Sequence, residues 1–145
     1  MIFPKEFYPK RIKDCSIQKS RKKFKNKKNK NTIFLLQERF LWMKKYLKRK
    51  KIIIELGCGN GASKDILNNK NILLTDIQKY PWISKKVDMV KLNLGKKYLK
   101  KVDVFIINHA LHHCQNPSLS LKKMSSYLKK DGLILLNEPE TSFFL

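Results

Sequence analysis

Arginine, acid and glycine are all scarce in this chain of 145 residues. Lys and Arg number 33 against 11 Asp plus Glu, a net charge of +22, yet only four of those cations are Arg (Arg11, Arg21, Arg39, Arg49). Forked contacts to phosphates and base edges favour Arg, so the charge is a poor signature of a dedicated nucleic-acid surface. Lys, Asn and Ile together make up 54 residues, the bias expected of an A- and T-rich coding sequence, and the basic balance reads mainly as that background. Net charge bears on nonspecific attraction and not on fold. No apolar run approaches the roughly 18 residues that a membrane span needs, and Met1-Ile2-Phe3-Pro4-Lys5 lacks the apolar stretch of a secretory signal. The three cysteines, Cys15, Cys58 and Cys114, are odd in number and unpaired in spacing. That excludes a disulfide scaffold and fits a reducing, cytoplasmic compartment. Length allows one domain, and 42% hydrophobic residues exclude disorder throughout.

Residues 1–31 carry twelve Lys or Arg and two acids. This stretch reads as a flexible basic arm, a solvated tail before a domain spanning residues 32–145. Leu36, Phe40, Met43 and Leu47 then recur at helical spacing, which predicts a helix ending near Lys48. The β-branched run Lys51 to Leu56 predicts a strand buried on both faces. Ala62 to Asn69 reads as a short helix, Asn71 to Asp76 as a second strand and Val102 to Asn108 as another. A helix follows with Ser118 as its N-cap, Leu121, Met124 and Leu128 on its buried face and Gly132 as its stop. Leu133 to Asn137 is the last strand. Strands alternating with helices imply a parallel sheet in an α/β domain.

Three of the five glycines fall within one loop, Glu55-Leu56-Gly57-Cys58-Gly59-Asn60-Gly61-Ala62. It joins a predicted strand to a predicted helix, at the carboxyl edge where open α/β sheets bind ligands. Glycine there permits positive φ and close approach of a ligand to the backbone. As Gly57-x-Gly59-x-x-Ala62 the loop passes a dinucleotide fingerprint, with Asp76 nineteen residues on. As Glu55-x-Gly57-x-Gly59-x-Gly61 it resembles the first motif of class I S-adenosylmethionine-dependent methyltransferases. A glutamate two residues before the first glycine is ill-suited to a pyrophosphate, and suits a ligand carrying an ammonium and a sulfonium.

The order of later motifs resembles the same family, in its small-molecule type with a Leu-His-His segment. Asp76 ends the second strand, where the family's acid binds the ribose hydroxyls. Pro81-Trp82-Ile83 through Val87-Asp88 resembles the short third strand, and Asp88 matches the acid that meets the adenine amino group, with Met89 beside the purine. Val102 through His113 resembles the fourth motif. Lys129-Lys130-Asp131-Gly132 stands where the family has Lys-Pro-Gly-Gly, and Asn137-Glu138-Pro139 resembles the end of its fifth strand. The resemblance implies a Rossmann-like doubly wound parallel sheet with strand order 3-2-1-4-5. It implies S-adenosylmethionine as cofactor, held by Glu55, Gly57, Gly59, Gly61, Asp76, Ile77, Asp88, Met89 and Asn108.

The resemblance further implies methyl transfer to a small-molecule acceptor, a sugar or lipid-linked precursor, with His109, His112 and Glu138 as the acid–base groups. An RNA methyltransferase using the basic arm, and a catalytically silent cofactor-binding remnant, are the alternatives. His109, His112, His113 and Cys114 form an H-x-x-H-H-C cluster, but no second ligand pair follows, so no metal site is expected. Trp42 and Trp82 read as packing residues, and Cys58 as a pocket-lining one. The family's usual strands 6 and 7 have no counterpart before Leu145. The expectation is therefore a domain incomplete at its C-terminus, with a partner covering the edge of the fifth strand.

Overall fold

The computed structural model describes residues 15–27 and 29–139. Five parallel strands form one sheet: β1 (Ile53–Leu56), β2 (Ile72–Asp76), β3 (Lys85–Lys86), β4 (Val102–Asn108) and β5 (Leu128–Asn137). Their order is β3-β2-β1-β4-β5, as the resemblance implies. Among the described residues, four α-helices accompany them: α1 (Cys15–Lys25), α2 (Lys30–Phe40), α3 (Ala62–Ile66) and α4 (Pro117–Tyr127).

Alternation along the central strands sends neighbouring side chains to opposite faces. Ile54, Leu56, Phe105 and Ile107 pack with Met124 and Tyr127 of α4 on one face. Ile53, Val104 and Ile106 meet Phe40, Met43 and Leu47 on the other. All seven residues of β4 except Asn108 are buried, and β1 is buried throughout. The near-continuous apolar runs read in the sequence are thus the two middle strands.

Several boundaries differ from the sequence reading, each for a local reason. The predicted helix through Lys48 is α-helical only to Phe40 and continues as a tighter 3-10 segment, Leu41–Leu47. The winding still buries Met43 and Leu47. The N-cap of α4 is Asn116 and not Ser118, because Pro117 occupies the first turn and the Asn116 side chain accepts the Leu119 N–H. Gly132 does not stop α4. That helix ends at Tyr127, and Gly132 lies inside β5, where the register slips between Val102 opposite Leu128 and Val104 opposite Leu133. The extra residues bulge out of the ladder.

The stretch set aside as a flexible arm also differs. Its residues 15–25 form α1, and its first fourteen residues lie outside the described ones. Lys-rich sequence gives α1 little apolar surface of its own. It is held by side-chain contacts to the glycine loop, set out below.

Asp103, near the start of β4, ties the sheet together at its amino edge. It accepts the N–H groups of Lys51 (3.0 Å) and Ile52 (2.9 Å) and the Lys129 ammonium at 2.7 Å. Burial alone would raise its pKa. The Lys129 ammonium and the two backbone donors outweigh burial and hold the carboxyl below its ordinary value. Asp103→Ala leaves two partly buried N–H groups without acceptors and should cost about 1–3 kcal/mol, read as a lower urea midpoint with unchanged m. Asp103→Asn should recover part of that loss.

Candidate active site

The carboxyl ends of β1, β2 and β4 frame two adjoining cavities. The larger, about 640 Å3, is lined by Asp76, Ile77, Asp88, Met89, His113 and Cys114 among others. The smaller, about 330 Å3, is lined by Glu55, Cys58, Asn108, Arg39, Leu35 and Leu36 among others. Ile17, Gly57, Gly59 and His109 border both, so the glycine loop is the wall between two compartments.

The loop's three glycines all take positive φ, at +69°, +49° and +64°. Their surroundings differ. A Cβ on Gly57 would sit 2.6 Å from the Ala110 Cβ, and one on Gly61 would strike Trp82 and Leu74 at 2.8 and 2.9 Å. Those two let the chain pass through packed surroundings. A Cβ on Gly59 would meet nothing within 4 Å, so this residue faces the open space that both cavities share. The loop is fixed from below by Gly59 N–H donating to Asp76 Oδ2 at 2.9 Å and Cys58 N–H donating to the Thr75 carbonyl.

Above the loop, Arg21 of α1 donates to the carbonyls of Asn60 (2.8 Å) and Gly61 (3.1 Å) and pairs with Asp65 at 3.2 Å. Its guanidinium lies 5.3 Å from the ring centroid of Trp82, which in turn stacks on Tyr80. The Trp82 indole N–H donates to the Gly59 carbonyl at 2.8 Å. Asn60 donates to the Ser20 hydroxyl, and Lys25 reaches Asp65. Sequence reasoning missed this clamp. Its one local trace is an arginine fork among lysines.

Glu55 is buried at the end of β1 and accepts the hydroxyl of Ser63 from α3. Burial pushes its pKa up to about 8, against the lowering effect of Ser63 and with a small further rise from Asp76. Alongside it, the Asn108 Oδ1 is buried without a hydrogen-bond partner among the described residues. A buried acceptor without a donor is uncommon and calls for explanation. Glu55 and Asn108 line the same compartment, and together they offer oxygens to a cationic donor. Burial pushes the Cys58 thiol well above its ordinary range, so it lines the cavity as an inert group.

In the larger compartment, Asp76 Oδ1 accepts the Gln78 N–H at 3.1 Å. Asp88 Oδ1 accepts the N–H groups of Val90 (2.8 Å) and Lys91 (3.2 Å), which leaves Oδ2 unengaged among the described residues. Ile77 is half exposed at the rim. All of the residues expected to hold a cofactor except Gly61 therefore line one compartment or the other; Gly61 lies behind, packed on Trp82.

The three acid–base candidates part company. His109 follows β4 with φ +51°, its N–H donating to the Asn137 carbonyl at 2.7 Å, and it borders both cavities. Burial first, then the Arg39 charge, holds its imidazole below the ordinary value, so the ring is neutral at pH 7. His112 and Glu138 line neither cavity. Glu138 Oε1 accepts the N–H groups of Ala110 and Leu111, and Oε2 meets the His112 Nδ1 at 2.5 Å. Burial would raise Glu138, but His112 and these backbone donors pull it below its ordinary value. The pair pins the turn Leu111–His113, and the histidine that reaches the larger cavity from that turn is His113.

An open parallel sheet with helices on both faces and a ligand cleft over its carboxyl edge belongs to the Rossmann-like class. Residues 26–144 match the family described as a methyltransferase domain, and the chain belongs to that family, with the class I methyltransferase fold. No curated protein matches it. Helix α1 lies before the matched stretch.

Gly57→Ala should be severely destabilising, because strain at positive φ adds to a clash with Ala110. Gly59→Ala should cost only about 1–2 kcal/mol and fold, while filling ligand space; melting curves separate the two. Glu55 holds a proton in the folded state between its ordinary pKa near 4.5 and about 8. Stability should therefore be greatest below that window and fall as pH rises through it. Glu55→Gln should flatten that dependence in urea titrations repeated across pH.

Proposed function

We propose that this chain is an S-adenosylmethionine-dependent methyltransferase acting on a small-molecule acceptor. The observation that carries the reading is the buried Glu55 carboxyl in one compartment with the Asn108 Oδ1, which has no partner among the described residues, beside an open Gly59. Carboxyl and amide oxygens side by side fit an ammonium, whereas a pyrophosphate would meet the buried Glu55 carboxyl, with Arg39 as the one cation on the same lining.

On this reading Glu55 and Asn108 would hold the amino acid end of the cofactor. Asp76 would take the ribose hydroxyls, and Asp88 Oδ2 the adenine amino group, with Ile77 and Met89 on the faces of the base. The cofactor, when bound, supplies an electrophilic methyl group on a sulfonium. The chain's own contribution is placement, together with removal of a proton where the acceptor is a hydroxyl. Neutral His109 stands between the compartments and would accept that proton on its ring nitrogen. Leu35, Leu36, Phe40 and Arg39 line the same smaller compartment as Glu55 and Asn108, and an acceptor entering there would meet apolar side chains and one cation, which supports a small amphiphilic acceptor over a polymer.

Calorimetric titration with S-adenosylmethionine tests the reading. Binding should ionise Glu55, so the heat at pH 7 should vary with the ionisation enthalpy of the buffer. Glu55→Gln should weaken binding by about tenfold to a hundredfold, the range for a hydrogen bond to a charged group. Absence of heat with S-adenosylmethionine beside clear heat with NAD would sink the proposal. His109→Ala should lower turnover by about 10²–10⁴ with cofactor affinity preserved, whereas His112→Ala should act mainly through stability.

A further inference from the structure

The helix α2 and the 3-10 segment after it bury one side on the sheet and leave the other apolar. Phe34, Leu35, Leu41, Trp42 and Tyr46 are 59%, 55%, 43%, 40% and 38% exposed. Phe34 and Leu41 are seven residues apart, as are Leu35 and Trp42, so each pair repeats after about two helical turns on one face. Trp42 and Tyr46 continue the strip, their rings edge to face with centroids 6.1 Å apart. Trp42, read from the sequence as a packing residue, does pack edge to face with Tyr46 and donates its indole N–H to the Arg39 carbonyl at 2.9 Å, yet stays 40% exposed. Large contiguous apolar surface on a monomer marks an interaction site.

Exposed cations flank the strip: Lys30, Lys44, Lys45, Lys48 and Arg49. None of the five has an acidic partner among the described residues, and Glu38 is the lone acid from Lys30 to Lys51. The Lys45 ammonium lies 4.9 Å from the Tyr46 ring centroid, a cation held above the apolar strip.

We propose that this face docks on an anionic lipid surface. Charge complementarity names the occupant. Apolar and aromatic groups in the middle, with unpaired lysines around them, match an acyl boundary below and anionic headgroups above. Tyr and Trp suit that boundary, with an apolar body and a polar tip. A nucleic acid is less well served, because the two ring systems pack on each other edge to face and the cations are almost all Lys. No helix among the described residues is long and apolar enough to cross a membrane, so the contact is peripheral. Leu35 belongs both to the strip and to the wall of the acceptor compartment. If the methyl-transfer reading holds, on which this last step rests, an acceptor anchored in the bilayer would enter that compartment from the docked face.

Cosedimentation of the full chain with phosphatidylcholine vesicles, with and without phosphatidylglycerol, tests the surface and needs neither cofactor nor acceptor. Its failure would leave the calorimetric test of the function untouched. The chain should bind the anionic vesicles, with a blue shift of tryptophan emission. The double variant Phe34→Ser/Trp42→Ser, which keeps the net charge, should bind about tenfold or more weakly with unchanged circular dichroism. Should that pair fail to fold, Leu41→Ser and Tyr46→Ser are read the same way. Equal binding by the variants would reduce the effect to charge alone and overturn the proposal. So would preference for single-stranded RNA in competition with the vesicles, or a concentration-dependent dimer that the variants abolish.

Discussion

A carboxyl group buried at the end of a central strand is costly, and the structure around Glu55 is arranged about that cost. The strand places it where water is excluded, and the Ser63 hydroxyl from α3 is its partner. That contact ties the helix after the glycine loop back to the strand before it. The loop between them has to reverse within a few residues, which it does through three left-handed glycines. In a protein without a cationic ligand such a carboxyl is best kept protonated, and its raised pKa reports that.

The clamp from α1 follows from the same loop. A turn made of glycines offers carbonyls to the surface with no side chains to cover them. Arg21 takes two of these carbonyls and Trp82 a third, and Asp65 neutralises the guanidinium. Two planar groups, the indole and the guanidinium, then lie against each other and the Tyr80 ring. A helix with little apolar surface can be held in this way because its partners are polar backbone groups that need donors.

Strands β1, β2 and β4 were legible because burial on both faces writes a continuous apolar run, and the glycine loop because positive φ demands glycine. The cavity-lining acids stood out in the sequence by their positions, Asp76 ending β2 and Asp88 two residues beyond β3. What could not be read locally were contacts made across the chain. The stretch containing α1 looked like a tail, since nothing in Lys-rich sequence predicts that Arg21 finds carbonyls forty residues away. Gly132 carries the signature of a helix stop but is spent on a bulge, a choice set by the register of β4 and β5. Glu138 and His112 had the right chemistry for catalysis, yet they pair with each other, and Glu138 also accepts backbone N–H groups, contacts that sequence does not show.

Those last contacts give the fifth strand a role beyond closing one side of the sheet. The chain leaves β4 at Asn108 and must turn at once to put His109 between the two compartments. A left-handed histidine is strained and persists only when its surroundings fix it. The fixing groups come from the end of β5: the Asn137 carbonyl takes the His109 N–H, and Glu138 takes those of Ala110 and Leu111. The placement of His109 is therefore set by β5 pairing in register with β4, Asn137 opposite Asn108. A slip of that register by one residue would remove the Asn137 and Glu138 acceptors together. The imidazole would then lose its place, although the cavity-lining groups on β1 and β2 would remain.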